Sequence, residues 1–338
     1  MITRKGRYSL IFSEEPKILG YAAVAGPKEA EGPLGKKFDK IYYDPKAGLD
    51  TWEEAESQLQ KEALGIALSK SSLTAEDIDF VFSGDLLNQC ISSSFGLKAF
   101  SIPYLGQYGA CSTMAQTLIM GAITLLSKAA RQCACVTSSH FCSAERQYRF
   151  PLEYGGQRTP TAQWTVTGSG CCILGTKKGA YPQLCGATVG RITDLGVTDA
   201  NNMGAAMAPA AASTILDFFS DTGASPSDFD RIYTGDLGAV GSSLLYELTE
   251  KAGLNLRQQH RDCGLLIYER ELQDVHAGGS GCGCAASVLC SHILPRLSEG
   301  KLRNVLFIAT GALMSPTSCQ QGQSIPSIAH LVHISSGT

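Results

Sequence analysis

An α/β fold built from two related halves is what this sequence predicts, and three observations carry it. Residues 73–86 (LTAEDIDFVFSGDL) recur as residues 224–237 (ASPSDFDRIYTGDL), each copy passing from helix-capping residues through Asp-apolar-Asp into a short apolar run. Both runs end in [Ser/Thr]-Gly-Asp-Leu, and apolar runs of that length bounded by Gly read as buried strands. Four elements keep the same order around each copy: helix, strand, glycine-bearing turn with a central helix, strand. No charged residue occurs between positions 99 and 127, which suits a central helix enclosed by both halves.

The elements follow in order. Thr51 and Glu54 have the spacing of a capping box, and Trp52, Ala55, Leu59, Ala63 and Ile66 then recur at helical spacing to give one buried face. The strand ending at Gly84 follows. Tyr108-Gly109-Ala110-Cys111-Ser112-Thr113 opens the first central helix, and residues 133–138 form the next strand. In the second half the helix is expected over residues 210–220 and its strand ends at Gly235. Gly278-Gly279-Ser280-Gly281-Cys282-Gly283 opens the second central helix, and residues 304–310 form the closing strand. The division is expected at residues 1–190 and 191–338.

Composition narrows the classes. A chain of 338 residues that is 44% hydrophobic and 17% charged is large enough for a sizeable core and too apolar for disorder. A formal net charge of −3 gives no broad attraction to nucleic acid. The 13 cysteines lack C-x-x-C or zinc spacing, and residues 1–10 lack a secretory h-region, so a reduced, cytoplasmic-type compartment is expected. Only residues 114–126 of the chargeless stretch are mainly apolar. That is short of the roughly 20 residues a membrane helix needs, so a helix buried on all sides is expected. Phosphate-loop, H-E-x-x-H and EF-hand motifs are absent, and the glycines at 278–283 are out of register for a dinucleotide fingerprint. No cofactor or resident metal is expected.

A duplicated half with a cysteine at the mouth of a buried central helix resembles the thiolase and ketoacyl synthase superfamily. More closely, the chain resembles a sporulation family within it. The residues that carry this are Ser83-Gly84-Asp85-Leu86-Leu87-Asn88-Gln89, Tyr108 to Ala115, Val136-Thr137-Ser138-Ser139-His140-Phe141, and Gln163-Trp164-Thr165-Val166-Thr167-Gly168-Ser169-Gly170, spread over most of the chain. The resemblance implies a thiolase-like five-layer αβαβα fold and a homodimer formed through residues 99–107. It further implies binding of dipicolinic acid, alone or as its calcium chelate, for uptake into the developing spore. Membrane proteins of the same sporulation transport complex would be partners, with the chain held peripherally at the spore inner membrane. No continuous cationic amphipathic helix is present, so such attachment would run through proteins.

At the site, Cys111 stands where active relatives keep their nucleophile. A helix N-terminus favours thiolate, so an acyl-accepting nucleophile and a buried thiol are both open readings. Condensing enzymes add a His–His or His–Asn pair. At the matching places this chain has Gly235-Asp236 and Gly281-Cys282-Gly283, and a carboxylate donates to an oxyanion only when protonated. His276, upstream of the second central helix, is the candidate substitute.

The same helix end offers N–H groups to one carboxylate of a dianion. Arg146, Arg149 and Arg158 are candidates for the other, with His140 at the pocket mouth, although a solvated surface role is the bland alternative for each. Asp85 and Asp236 are equivalent under the duplication. Asp85, with Asn88, is assigned to the pocket, and Asp236 is assigned to capping its own turn. The leading expectation is a non-catalytic dipicolinate-binding protein. An active thiolase or ketoacyl-synthase-type acyltransferase using Cys111 is the alternative, and a structural subunit with a vestigial pocket is the third reading.

Overall fold

The computed structural model describes residues 1–148 and 158–337, so Arg149 lies outside the described residues. The first half runs β1 (Ile2–Lys5), β2 (Ser9–Phe12), β3 (Lys17–Ala25), α1 (Pro27–Ala30), β4 (Lys40–Ile41), α2 (Trp52–Ser71), β5 (Phe80–Gly84) and α3 (Ile91–Leu97). It continues with β6 (Tyr104–Gly106), α4 (Thr113–Leu126), β7 (Gln132–Ser139), α5 (Phe141–Tyr148), β8 (Trp164–Thr165) and β9 (Gly168–Gly175). The second half runs β10 (Gln183–Thr188), α6 (Met203–Thr222), β11 (Arg231–Thr234), α7 (Gly238–Lys251), β12 (His260–Asp262) and α8 (Cys263–Leu266). It ends with β13 (Gly279–Ser280), α9 (Cys282–Val288), α10 (Leu294–Ser298), β14 (Asn304–Ala312), α11 (Pro316–Gln320) and β15 (Ser327–Ser335).

The duplication seen in the sequence is a duplication of topology. Strands β3-β9-β7-β5-β6 lie side by side, and β10-β15-β14-β11-β12 repeat that order. In each set the first two pairings are antiparallel and the last two parallel. The opening strand of the second set begins at Gln183, ahead of the division expected after residue 190. A single register pair, Gln183 with Lys17, links the two sets.

Helices α4 and α9 pack against strands between the two sets, α2 and α3 cover the first set, and α6 and α7 cover the second. These are the five layers. Each interlayer has its own core: Met114, Leu118, Cys135, Leu174, Val288 and Phe307 in the middle, Leu59, Leu64 and Val81 outside the first set, and Ile215, Phe218 and Ile308 outside the second.

Local signals explain the boundaries. Thr51 accepts from the Glu54 N–H and Glu54 returns the bond, so the predicted capping box opens α2. Helix α6 starts at Met203 under an Asn202 cap, earlier than the expected residue 210. Pro209 sits inside it, and its missing N–H forfeits one intrahelical bond without ending a helix that packs on β15. Helix α4 is buried on most sides but not all, since Met120 is 38% exposed.

At the N-terminus, β2 pairs with β10 of the second set, and Asp221 at the end of α6 accepts the N–H groups of Arg7, Tyr8 and Ser9. At the other edge β6 is outermost, with Tyr104 and Leu105 exposed.

Candidate functional site

Cys111 lies where both halves meet. The turn before α4 puts Ala110 at φ 49°, a conformation an L-residue adopts only when its surroundings impose it. The surroundings here are Gly311 of β14. A Cβ there would stand 2.3 Å from the Gly109 carbonyl and 3.2 Å from the Cys111 N, so only glycine lets the strand and this turn approach so closely.

The sulfur faces a small chamber of about 30 Å³, room for roughly one water. Leu86, Tyr108, Ala144, Tyr148, Met203 and Met314 supply apolar wall, and Glu145, Thr165 and Ser280 supply polar atoms. An open groove of about 430 Å³ adjoins it, lined by Asn88, Gln89, Leu313, Ser315 and Ser318 among others. Leu86, Tyr108, Tyr148 and Met314 belong to both spaces. The two tyrosine hydroxyls lie 3.3 Å apart and Tyr148 donates to the Leu86 carbonyl, so this pair forms the partition.

Beneath the sulfur is Asp236. Its carboxylate accepts from Thr310 Oγ1 at 2.7 Å, Ser280 Oγ at 3.0 Å and the Gly281 N–H at 2.9 Å, close enough to the Cys111 thiol to act on it electrostatically. Burial pushes the thiol well above its ordinary range, and the neighbouring carboxylate pushes it further. That direction is opposite to the thiolate character expected from the helix end. The N–H groups of Ser112 and Thr113 already bond to the Gly109 and Ala110 carbonyls, so the helix start does not hold out a full set of free donors.

The two duplicated aspartates exchange the roles assigned from sequence. Asp85 accepts from the Leu87 N–H, the Ser93 N–H and Ser93 Oγ, which makes it the cap of its own turn and keeps it off the chamber wall. In the second half Asp262 bonds the Leu237 and Gly238 N–H groups and does that capping instead. Asp236 is thereby released to face Cys111. Sequence offered no signal for this, because the substitute cap comes from a strand 26 residues further on.

The remaining candidates are dispersed. Asn88 lines the groove, and its N–H bonds Gln147. His140 is buried behind α5: its Nδ1 accepts from the Cys142 N–H, so Nε2 carries the proton and donates to the Pro45 carbonyl at 2.8 Å. Burial lowers its pKa, and the neutral ring lies against Trp52 outside the chamber lining. Arg146 pairs with Glu53 beside a side cleft that Asn88 also lines. Arg158 donates to the Gln163 carbonyl and covers the Trp164 ring. His276 donates from Nδ1 to the Thr159 carbonyl and pairs with Asp274, away from the sulfur.

Sequence reasoning missed a buried polar network behind the groove. Glu56 accepts from Ser138 and Ser143, while Gln60 links Ser83, Ser93 and Ser138. Burial first, then nearby Asp85, pushes the Glu56 carboxyl up to about 8. Polar residues on the inward face of α2 were the available signal.

A two-sheet duplicate with a cysteine at the mouth of its central helix defines the thiolase-like class. Solved structures agree on the fold: acetamide-bound OleA of Xanthomonas campestris superposes with a TM-score of 0.62 at 10% identity, covering 99% of this chain and 100% of that one. The 3-oxoacyl-[acyl-carrier-protein] synthase III of Aquifex aeolicus gives 0.54 at 12% identity, covering 95% and 99%. Within that class, the family described as stage V sporulation protein AD matches residues 6–335. Stage V sporulation protein AD of Bacillus subtilis is 45% identical over 96% of both chains. The chain belongs to the stage V sporulation protein AD family. Among the described residues no helix is long and apolar enough to cross a membrane.

Proposed function

We propose that this sporulation-family protein is a non-condensing binder of dipicolinic acid that assists its uptake into the developing spore. The observation that carries the non-condensing part is Asp236. Condensation requires hydrogen-bond donors aimed at a developing oxyanion beside the nucleophile. The side chain beneath Cys111 is instead a carboxylate already engaged by Thr310, Ser280 and Gly281.

The ligand seat in this reading is the outer groove. Its volume falls in the usual range for small-molecule sites, whereas the inner chamber holds about one water. Tyr108 and Tyr148 supply aromatic lining suited to a planar aromatic acid, and Asn88 supplies a side-chain amide for hydrogen bonding. Asp236, bonded to Ser280 of the chamber wall, disfavours a free dianion beside it. A one-to-one calcium chelate, whose charges cancel, escapes that repulsion and is the preferred cargo. Membrane proteins of the same sporulation complex are the proposed recipients at the spore inner membrane, and β6 is the proposed homodimer seam.

Calorimetric titration of the purified protein with dipicolinate, with and without calcium, tests this. Saturable heat is expected, stronger with calcium; none in either condition overturns the reading. Transfer of a labelled acyl group from a thioester to Cys111, abolished in Cys111→Ser, establishes the condensing alternative instead. Normal dipicolinate content in spores carrying groove substitutions points to a structural subunit.

A further inference from the structure

We propose that Tyr246, His260, Thr234 and Asp262 form a reversible proton relay from α7 to the turn after β11, in which proton uptake by Asp262 switches His260 from its Nε2–H to its Nδ1–H tautomer.

The four groups stand in an unbroken line. The Tyr246 hydroxyl lies 2.8 Å from His260 Nδ1, His260 Nε2 lies 2.8 Å from Thr234 Oγ1, and Thr234 Oγ1 lies 2.7 Å from Asp262 Oδ2. Thr234, His260 and Asp262 are buried, whereas Tyr246 on α7 is only partly so and forms the outer end.

The coupling follows from a single hydroxyl hydrogen. Thr234 has one to donate and two neighbours that can accept it. Ionised Asp262 only accepts, so Thr234 donates to it. His260 then donates to Thr234 from Nε2, which leaves Nδ1 bare to accept from Tyr246. A proton arriving on Asp262 reverses every bond, and it has one place to settle. Oδ1 receives the N–H groups of Gly238 and Leu265, which cannot accept, while Oδ2 meets the Thr234 hydroxyl beside the Leu237 N–H. In the transfer the Tyr246 hydrogen passes to Nδ1, the Nε2 hydrogen to Thr234 and the Thr234 hydrogen to Oδ2. Tyr246 regains its own from solvent, so one proton enters, one is stored and the imidazole stays neutral throughout.

The electrostatics suit such a relay. Burial, and then Arg261, lower the His260 pKa to about 3, so the ring changes tautomer and not charge. Burial, with Asp236 adding to it, raises the Asp262 carboxyl to about 7 against the hydrogen bond from Thr234. Asp236, Cys263 of α8 and Cys284 of α9 are the ionisable groups acting on Asp262 from the elements around it. At the outer end Arg261 stands near, and Arg257, paired with Glu250, covers the Tyr246 ring. Because Asp262 anchors Leu237 and Gly238 and acts on Asp236, the relay links solvent pH to the charge balance behind the Cys111 chamber.

The test follows the six histidines of the whole chain, labelled with nitrogen-15, by two-bond proton–nitrogen correlation NMR from about pH 9 down to about pH 5. The His260 signals are assigned by their absence in His260→Gln. The Nδ1–H share is expected to climb from about one tenth to about nine tenths over roughly 2 pH units centred near 7. One unchanged tautomer across the range, or an imidazolium forming near the ordinary 6.5, overturns the proposal.

Asp262→Asn gives an independent check. Its amide nitrogen takes the Oδ2 place, where it opposes one backbone N–H instead of two, and donates to Thr234. His260 is then expected to hold the Nδ1–H tautomer at every pH. The Nε2–H tautomer in this variant overturns the proposal, and the wild-type titration decides alone if the variant does not fold. Neither readout involves dipicolinate, so the relay and the ligand reading fail separately.

Discussion

At the scale of single residues, the site is governed by buried carboxylates more than by its sulfur. Asp236 faces Cys111, Asp85 and Asp262 hold the turns on either side, and Glu56 sits behind the groove. Glu56 allows a signed test. Its carboxyl titrates near 4.5 when unfolded and at about 8 in the fold, so the native state favours the protonated form. Its stabilising contribution is complete below pH 4.5 and is lost as pH rises toward about 8. Glu56→Gln cannot ionise and keeps that contribution, so its stability relative to wild type should climb across this window, by at most about 1.4 kcal/mol per pH unit. Urea unfolding of both proteins at several pH values checks it, and a gap that stays flat removes Glu56 from this role.

At the scale of elements, most of the architecture was legible because its signals are local. The capping box at Thr51 and Glu54, the apolar runs ending in Gly-Asp and the chargeless helix before Ser127 each state their own structure. Helix α6 starts ahead of the expected residues 210–220 and carries Pro209 inside it, because packing on β15 outweighs one lost bond. The site was less legible, since its geometry is set by long-range approach. Nothing near Cys111 in sequence announces that Gly311 lies against its turn, or that Asp262 frees Asp236. Gly311→Ala places a methyl 2.3 Å from the Gly109 carbonyl, a backbone atom that cannot rotate away. The expected cost is about 1–3 kcal/mol of stability, with the Cys111 turn displaced. Thermal unfolding measures the first and the Cys111 alkylation profile the second; an unaltered melting temperature would falsify the close-approach argument.

At the scale of the whole molecule, the repeat of strand order gives the chain two equivalent outer edges, β6 and β12, that are dressed differently. Phe95, Tyr104 and Leu105 leave the β6 edge exposed and apolar, whereas β12 carries His260 and Asp262, both buried, around an exposed Arg261. An edge with open backbone groups and apolar side chains favours pairing with a second copy. Leu105→Lys is expected to shift the protein from dimer to monomer in sedimentation while its circular dichroism is retained. A wild-type protein that sediments as a monomer at all concentrations sinks the seam.

The attachment of β2 to β10, locked by Asp221 on the N–H groups of Arg7, Tyr8 and Ser9, fixes an order of assembly. The contact between Ser9 and Asp221 spans 212 residues. At a synthesis rate of about 5–20 residues per second, the opening hairpin waits roughly 10–40 s on the ribosome before its anchor has been made. That hairpin thus emerges well before the strand and helix it docks on, and its closure becomes a readout of whether the second half has folded.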